Sequence, residues 1–328
     1  EGANVTTTLY VNGAIFVNNV LQFIEHDEGR MRWTAVQGPN SYNWHDFQYD
    51  YFIKDHLGNI RMVLTDQKDT LRYFATMEDG YATTENQLFS NVSSTRASLP
   101  SGYPADSTTK INNYASRLNA NATVNQKTGP SIVLKVMAGD KMDIATKAFY
   151  KSKTLGYTPV NPLADILAIL AGNIAGLAGG SKGSAGELGG VAGPLSPLLA
   201  DFLQQQPNGT TTKPKAFINW MLVDEQFKMV SSSSGYVMVS NSDVLNTIGS
   251  TGLEIAKNGY FMVWVSNETP DWDVYFDNIA IHHYTGPLQE ETHYGPWGNT
   301  LTAISSKALK RPENKYKYNG KEKQDKEW

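Results

Sequence analysis

The chain has 328 residues, enough for two domains or one large β-domain with a sizeable buried core. Its 28 Lys and Arg against 32 Asp and Glu leave a net charge of −4, so no basic field draws nucleic acid or an anionic membrane. The absence of cysteine excludes disulfide scaffolds, thiolate metal sites and cysteine nucleophiles. Aromatic residues at 11%, seventeen Tyr among them, together with many Thr, Asn and Ser, predict a mainly β fold of short antiparallel strands. Glu1-Gly2-Ala3 shows no signal peptide and the pattern begins midway, so a fragment is expected.

Residues 1–72 read as a strip of β-hairpins. Leu9 to Val17 places Asn12-Gly13 between apolar runs, a strong short-range hairpin signal. Val20 to Ile24 leads through Asp27-Glu28-Gly29 into Arg30 to Trp33, and Gly38-Pro39-Asn40 marks a break. Tyr49 to Asp66 is a complete hairpin: Tyr51 to Ile53 and Ile60 to Leu64 flank Asp55 to Asn59, with Gly58 and Asn59 expected at positive φ. The recurring unit is an aromatic, an Asx-Gly or Asp-x-x-Gly turn, and a strand holding Arg. Repetition of one hairpin per unit implies stacking into an array.

From Tyr73 to Thr285 the pattern changes to a β-sandwich. Phe74 to Glu78 and Gln87 to Phe89 are separated by polar turns, and the Ser-, Asn- and Thr-rich Leu99 to Ala122 reads as surface loop. Ser131 to Asp140 predicts a strand and turn with Met142 to Tyr150 as its partner. Further strands are expected at Ala216 to Asp224, Tyr236 to Val239, Gly259 to Val265 and Val274 to Ile281. Residues 155–214 interrupt them. Asn161 as N-cap and Pro162 at the first helical position start a helix over an apolar run from Leu163 to Gly180, and a second helix over Pro197 to Gln206 returns the chain. Gly172, Gly176 and Gly180 have the spacing that suits helix packing in a bilayer. A span needs about 20 apolar residues and Gly weakens the helix, so a docked helical insert with a flexible Gly/Ser/Ala tip is expected. From Gly286 to Trp328 the hairpin motifs return.

The stretch Asp55-His56-Leu57-Gly58-Asn59-Ile60-Arg61-Met62-Val63 closely resembles the tyrosine/aspartate (YD) repeats of the Rhs-repeat family, in the Bacteroidetes type carried by large secreted and surface proteins. Gly286 to Asn299 and Asn314 to Glu322 are similar to segments of the same family. The resemblance implies a hollow β-shell that encloses or displays a C-terminal payload, with residues 1–72 and 286–328 as neighbouring strips of its wall and residues 73–285 inserted between them. Partners would be the rest of the shell and its C-terminal domain, and the location extracellular or at the cell surface. The family continues into a self-cleaving core and a variable, often toxic, domain, which this sequence does not contain, so neither proteolysis nor toxicity is assigned. Val274 to Ile281 is similar to the last strand of jelly-roll carbohydrate-binding modules, which implies a glycan as an alternative partner.

Candidate chemistry is sparse. Gly179-Gly180-Ser181-Lys182-Gly183 fits the hydrolase elbow pattern, but that pattern needs a strand before it and a helix after it. His282 and His283, with His293, are possible imidazole ligands, yet adjacent residues on a strand face opposite ways. Asp224-Glu225 and Glu290-Glu291 read as solvated charges. No phosphate loop is present and no nucleophile and base set stands out, so a non-enzymatic chain is expected. The jelly-roll likeness implies a structural Ca²⁺ held by Glu78, Asp79 and Asp277, with Asp277 as a turn cap the plain alternative. Trp264, Trp272 and Tyr275 are candidate sugar-stacking platforms if exposed and core residues if not.

Overall fold

The computed structural model describes residues 6–37, 43–156, 158–177, 196–302, 304–308, 311, 314 and 316–321. They form antiparallel sheets with few helices, in two units: Glu1–Asp69 with Gly286–Trp328, and Thr70–Thr285.

The first unit is one sheet ordered β1 (Thr8–Val11), β2 (Ala14–Val17), β3 (Val20–His26), β4 (Gly29–Gln37), β5 (Asn43–Lys54), β6 (Ile60–Thr65), β17 (Leu288–Glu291) and β18 (Ser306–Lys307). Asn12 and Gly13 both take positive φ, as do Asn18 and Asn19, so two-residue turns of matching twist close the first two hairpins. In the β5–β6 turn Gly58 sits at φ 82°, but Asn59 does not share its positive φ. Instead Asp55 accepts hydrogen bonds from the Leu57 amide (3.0 Å), the Asn59 amide (2.9 Å) and Asn59 Nδ2 (2.9 Å), an Asx turn that clasps the next strand. The break expected at Gly38-Pro39-Asn40 lies outside the described residues. Strand β17, more than 200 residues further along the chain, adds to β6 with Leu288 opposite Leu64 and Glu291 opposite Met62.

Alternation assigns the two faces of this sheet. Tyr49, Tyr51 and Ile53 lie on the more open one, whereas Arg30, Arg32, Asp50 and Thr65 lie on the covered one. Asp50 there accepts Arg30 Nε (2.9 Å), Arg32 Nε (2.7 Å) and a second Arg32 nitrogen (2.9 Å). Arg30 and Arg32, the motif arginines of the second hairpin, are thus buried hydrogen-bonding residues, whereas Arg61 of the β5–β6 hairpin is only part-buried. Burial by itself would raise the Asp50 pKa; the bonds and charges of Arg32 and Arg30 outweigh it and hold the carboxyl below its ordinary value.

The second unit is sandwich-like. Its larger sheet runs β14 (Asn246–Glu254), β11 (Lys141–Tyr150), β16 (Val274–Tyr284), β9 (Tyr114–Leu118), β8 (Arg96–Ser98), and β7 (Thr70–Ala75) joins the far half of β16. The smaller runs β10 (Thr128–Val136), β15 (Gly259–Asn267), β12 (Ala216–Asp224), β13 (Gly235–Met238). Ile132, Ile218, Leu222, Phe261 and Val263 of the smaller sheet pack against Ile144, Val274, Phe276 and Ile281 of the larger.

Helix α3 (Leu163–Leu177) starts where Asn161 Oδ1 accepts the Leu163 amide at 2.9 Å, and with the helix over 196–204 it covers the outer face of the smaller sheet. Ile166, Leu199, Phe202 and Leu203 bury Met221, Met262 and Trp264 there. Strands β12 and β15 are therefore buried on both faces and read as continuous apolar runs rather than alternating ones. No described helix is long and apolar enough to cross a membrane. The Gly/Ser/Ala tip, with its elbow motif at 179–183, lies outside the described residues.

Several expectations are corrected. β10 and β11 are not partners: β10 pairs with β15 and β11 with β14 and β16, so the Met137–Asp140 turn carries the chain between sheets. Gln87 and Leu88 belong to helix α1 (Ala82–Leu88), followed by α2 (Val92–Thr95). The stretch read as a loop over Leu99 to Ala122 contains β9, whose Ala115, Ser116 and Leu118 are buried against the core. Strand β14, hidden in a Thr- and Gly-rich edge, pairs with β11.

Candidate functional site

The described residues of the second unit enclose a cleft of about 880 Å³ between β7, α1 and the 108–113 loop. Arg72 and Phe74 lie two apart on β7 and so share a face. Across the cleft stand Tyr81 and Leu88 of the α1 region, then Lys110, Ile111 and Asn113. Phe74 and Tyr81 are 45% and 59% exposed, so the apolar wall is open to a ligand.

Three carboxylates line this cleft, and all three are engaged within the fold. Glu85 accepts the Thr76 amide and hydroxyl (both 2.7 Å) and the Met77 amide (3.1 Å). Glu78 Oε1 accepts the Asn113 (2.8 Å) and Tyr114 (3.1 Å) amides, pinning the loop, while its Oε2 is buried with no hydrogen-bond partner among the described residues. Asp79 pairs with Arg96, whose Nε donates to the Met77 carbonyl and whose guanidinium lies 3.7 Å over the Tyr114 ring. Arg72 and Lys110 form no ion pair among the described residues.

Glu78, Asp79 and Asp277, the expected calcium ligands, are not brought together as one set. Asp79 is directed to Arg96, and among the described residues no group of three or more His, Asp or Glu side chains is arranged to hold a metal. Asp277 is almost fully buried, with Tyr103 donating to it at 3.4 Å and the Asn278 amide at 2.7 Å. Burial is the main cause that pushes its pKa up to about 7, aided by the charges of Asp106 and Glu78 against the Asn278 hydrogen bond. Its neighbour Asp106 goes the other way. Burial acts to raise its pKa, but the Thr108 hydroxyl (2.6 Å) and amide (3.0 Å), Lys147 and Asn278 Nδ2 (2.9 Å) lower it overall. Of two adjacent carboxyls, the better-solvated and better-donated one keeps the charge.

The proposed stacking platforms are corrected to core. Trp264, Trp272 and Tyr275 are 0%, 1% and 8% exposed. Trp264 lies under Phe202 of the helical insert, Trp272 against Tyr150, and Tyr275 beside Phe149, so none offers a free ring face. The insert was legible, but its docking onto Trp264 was not.

Other candidates resolve into structural roles. His282 touches the rings of Phe74 and Tyr284, whereas His283 is buried with Nε2 at 2.7 Å from Asp140, so the two do face apart. His293, in the first unit, contacts Glu291 and Arg61, each at 3.0 Å. Asp224, Glu225 and Glu290 are buried rather than solvated: Asp224 accepts the Gln226 and Lys228 amides, Glu225 pairs with Lys135, and Glu290 pairs with Lys317 and accepts the Asn314 amide. The cleft residues Arg72, Phe74, Tyr81, Lys110 and Ile111 were missed by sequence reasoning. Their only sequence signal is the Arg72/Phe74 alternation, too short to stand out. No family model, curated protein or solved structure matches this chain.

Proposed function

We propose that the chain is a non-enzymatic structural segment of a secreted or cell-surface Rhs/YD-repeat shell that encloses or displays a C-terminal payload, with a jelly-roll-like sandwich inserted into its wall. The observation that supports this reading best is the hairpin meander β1 to β6 continued by β17 and β18 from the other end of the sequence. A wall strip needs such a sheet, because each hairpin buries its face only with neighbours. The buried Arg30, Asp50 and Arg32 cluster, built from two successive hairpin strands, supports it further.

Cryo-electron microscopy of the full-length gene product tests the proposal. The expected result is a continuous wall in which further strands flank β1 and β18. A full-length product in which both of these edges face solvent would overturn it.

A second reading, that the sandwich is a binding module for a glycan, is favoured by the open aromatic cleft beside β7. Clefts of about 300–1,000 Å³ with apolar walls and a few polar groups are typical of small-ligand sites. A glycan array probed with the chain tests it directly, with retention of at least one saccharide expected and a blank array against it.

A further inference from the structure

We infer that the cleft formed by β7, α1 and the 108–113 loop binds an acidic oligosaccharide, a chain containing hexuronic acid units, through Phe74, Tyr81, Arg72 and Lys110. The inference rests on the binding-module reading and names its ligand class and residues. It takes three steps.

The first concerns shape. Exposed aromatic rings are unremarkable singly, but here Phe74, Tyr81 and the aliphatic Ile111 and Leu88 converge on one concavity. A pyranose presents a face of C–H groups that packs on an aromatic ring, with hydroxyls around its rim. Thr84, Thr108, Thr109 and Asn113 supply hydroxyl and amide groups in the same lining for such a rim.

The second concerns charge. The cleft carboxylates already accept from Thr76, Met77, Asn113 and Tyr114 or pair with Arg96. Glu78 and Glu85 have no ion pair among the described residues either, but both are buried, whereas Arg72 and Lys110 are exposed and likewise unpaired there. Arg72 faces His282 across the β7–β16 ladder and lies near the hydroxyl of Tyr284, which donates to Asp143 at 3.0 Å; Arg72 itself makes no ion pair with Asp143 or any other carboxylate among the described residues. Lys110 is exposed on the loop held in place by Glu78. A neutral sugar would leave both cations unanswered, whereas a carboxylate on the ring answers them.

The third concerns rigidity. The loop that carries Lys110 and Ile111 is tied at Asn113 by Glu78, and β7 is laddered to β16, so the two walls are positioned before a ligand arrives. Less ordering is then needed on binding.

The test is isothermal titration of the chain with trigalacturonic acid, its methyl ester and cellotriose. Trigalacturonic acid is expected to bind with an affinity that falls as salt rises, and the two neutral sugars about tenfold or more weaker. Tyr81→Ala and Arg72→Gln, both at exposed positions and checked for an unchanged melting temperature, are each expected to weaken it by about tenfold. Equal binding of acid and ester, weakened by Tyr81→Ala but not by Arg72→Gln, would overturn the acidic ligand and leave the binding reading standing. Binding indifferent to both variants would place the ligand elsewhere and overturn this site. No binding of any of the three, together with a blank glycan array, would overturn both the site and the reading on which it rests.

Discussion

Asp50 is the residue on which the first unit should depend most. It is fully buried and accepts three hydrogen bonds from two guanidiniums that are themselves buried. Removing its side chain in Asp50→Ala leaves two desolvated cations without a counter-charge, a situation that costs about 3–5 kcal/mol. At about 1.4 kcal/mol per factor of ten, amide protection should fall by roughly two to four powers of ten. Native-state hydrogen exchange read on β4, β5 and β6, with β12 and β15 as the internal control, measures this directly. Asp50→Asn keeps an acceptor but not the charge and should cost less, about 1–3 kcal/mol. The pH dependence has a defined sign. With its pKa held below 3.8, Asp50 stabilises the unit fully above that value and loses this contribution as pH falls through the folded pKa. A loss of protection in β4 to β6 smaller than about tenfold in Asp50→Ala would refute the argument that the buried charges need their partner.

The other predictions concern the second unit. Asp277 has a folded pKa of about 7 against an ordinary 3.8, so the folded form binds the extra proton between them. Stability should therefore decline as pH rises across that window, by at most about 1.4 kcal/mol per pH unit, and Asp277→Asn should flatten the decline in urea melts from pH 4 to 8. An unchanged slope in that variant would assign the titration elsewhere. Because Asp79 is held by Arg96, added calcium should leave the melting temperature where a chelator leaves it; a calcium-dependent rise abolished in Asp277→Asn would restore the metal expectation. Trp264→Ala should destabilise the sandwich by about 3–5 kcal/mol and loosen the insert to protease, since the ring fills the space beneath Phe202; a folded variant of near wild-type stability would contradict its core role. Gly259→Ala should be poorly tolerated, because a Cβ there would lie 2.0 Å from the Val223 carbonyl oxygen, and a thermal melt within about 1 kcal/mol of wild type would show that β12 and β15 can separate locally.

How much of this was legible depended on range. The Asn12-Gly13 turn, the Tyr49 to Asp66 hairpin and the Asn161 cap were readable because each is decided within four or five residues. Strands β9 and β14 were not, because Ser, Thr, Asn and Gly mask strands whose backbones are held by neighbours distant in sequence. Glu225 and Glu290 looked solvated for a related reason: the donors that make their burial tolerable come from distant Lys135, and from Asn314 and Lys317, whereas the Gln226 and Lys228 amides that Asp224 accepts are local.

The sequence by itself determined a mainly β, antiparallel chain, the sites of its tight turns and the start of its helical insert, since positive φ, capping and alternation are local properties of the backbone. Only the tertiary structure decided which strands became neighbours, which aromatic rings were covered and which stayed open. Trp264 and Phe74 carry comparable apolar side chains, and they differ because helix 196–204 packs over one while the other, met edge-on by His282, stays 45% exposed among the described residues. Burial belongs to the assembled layers, and with it the choice between a core residue and a binding surface.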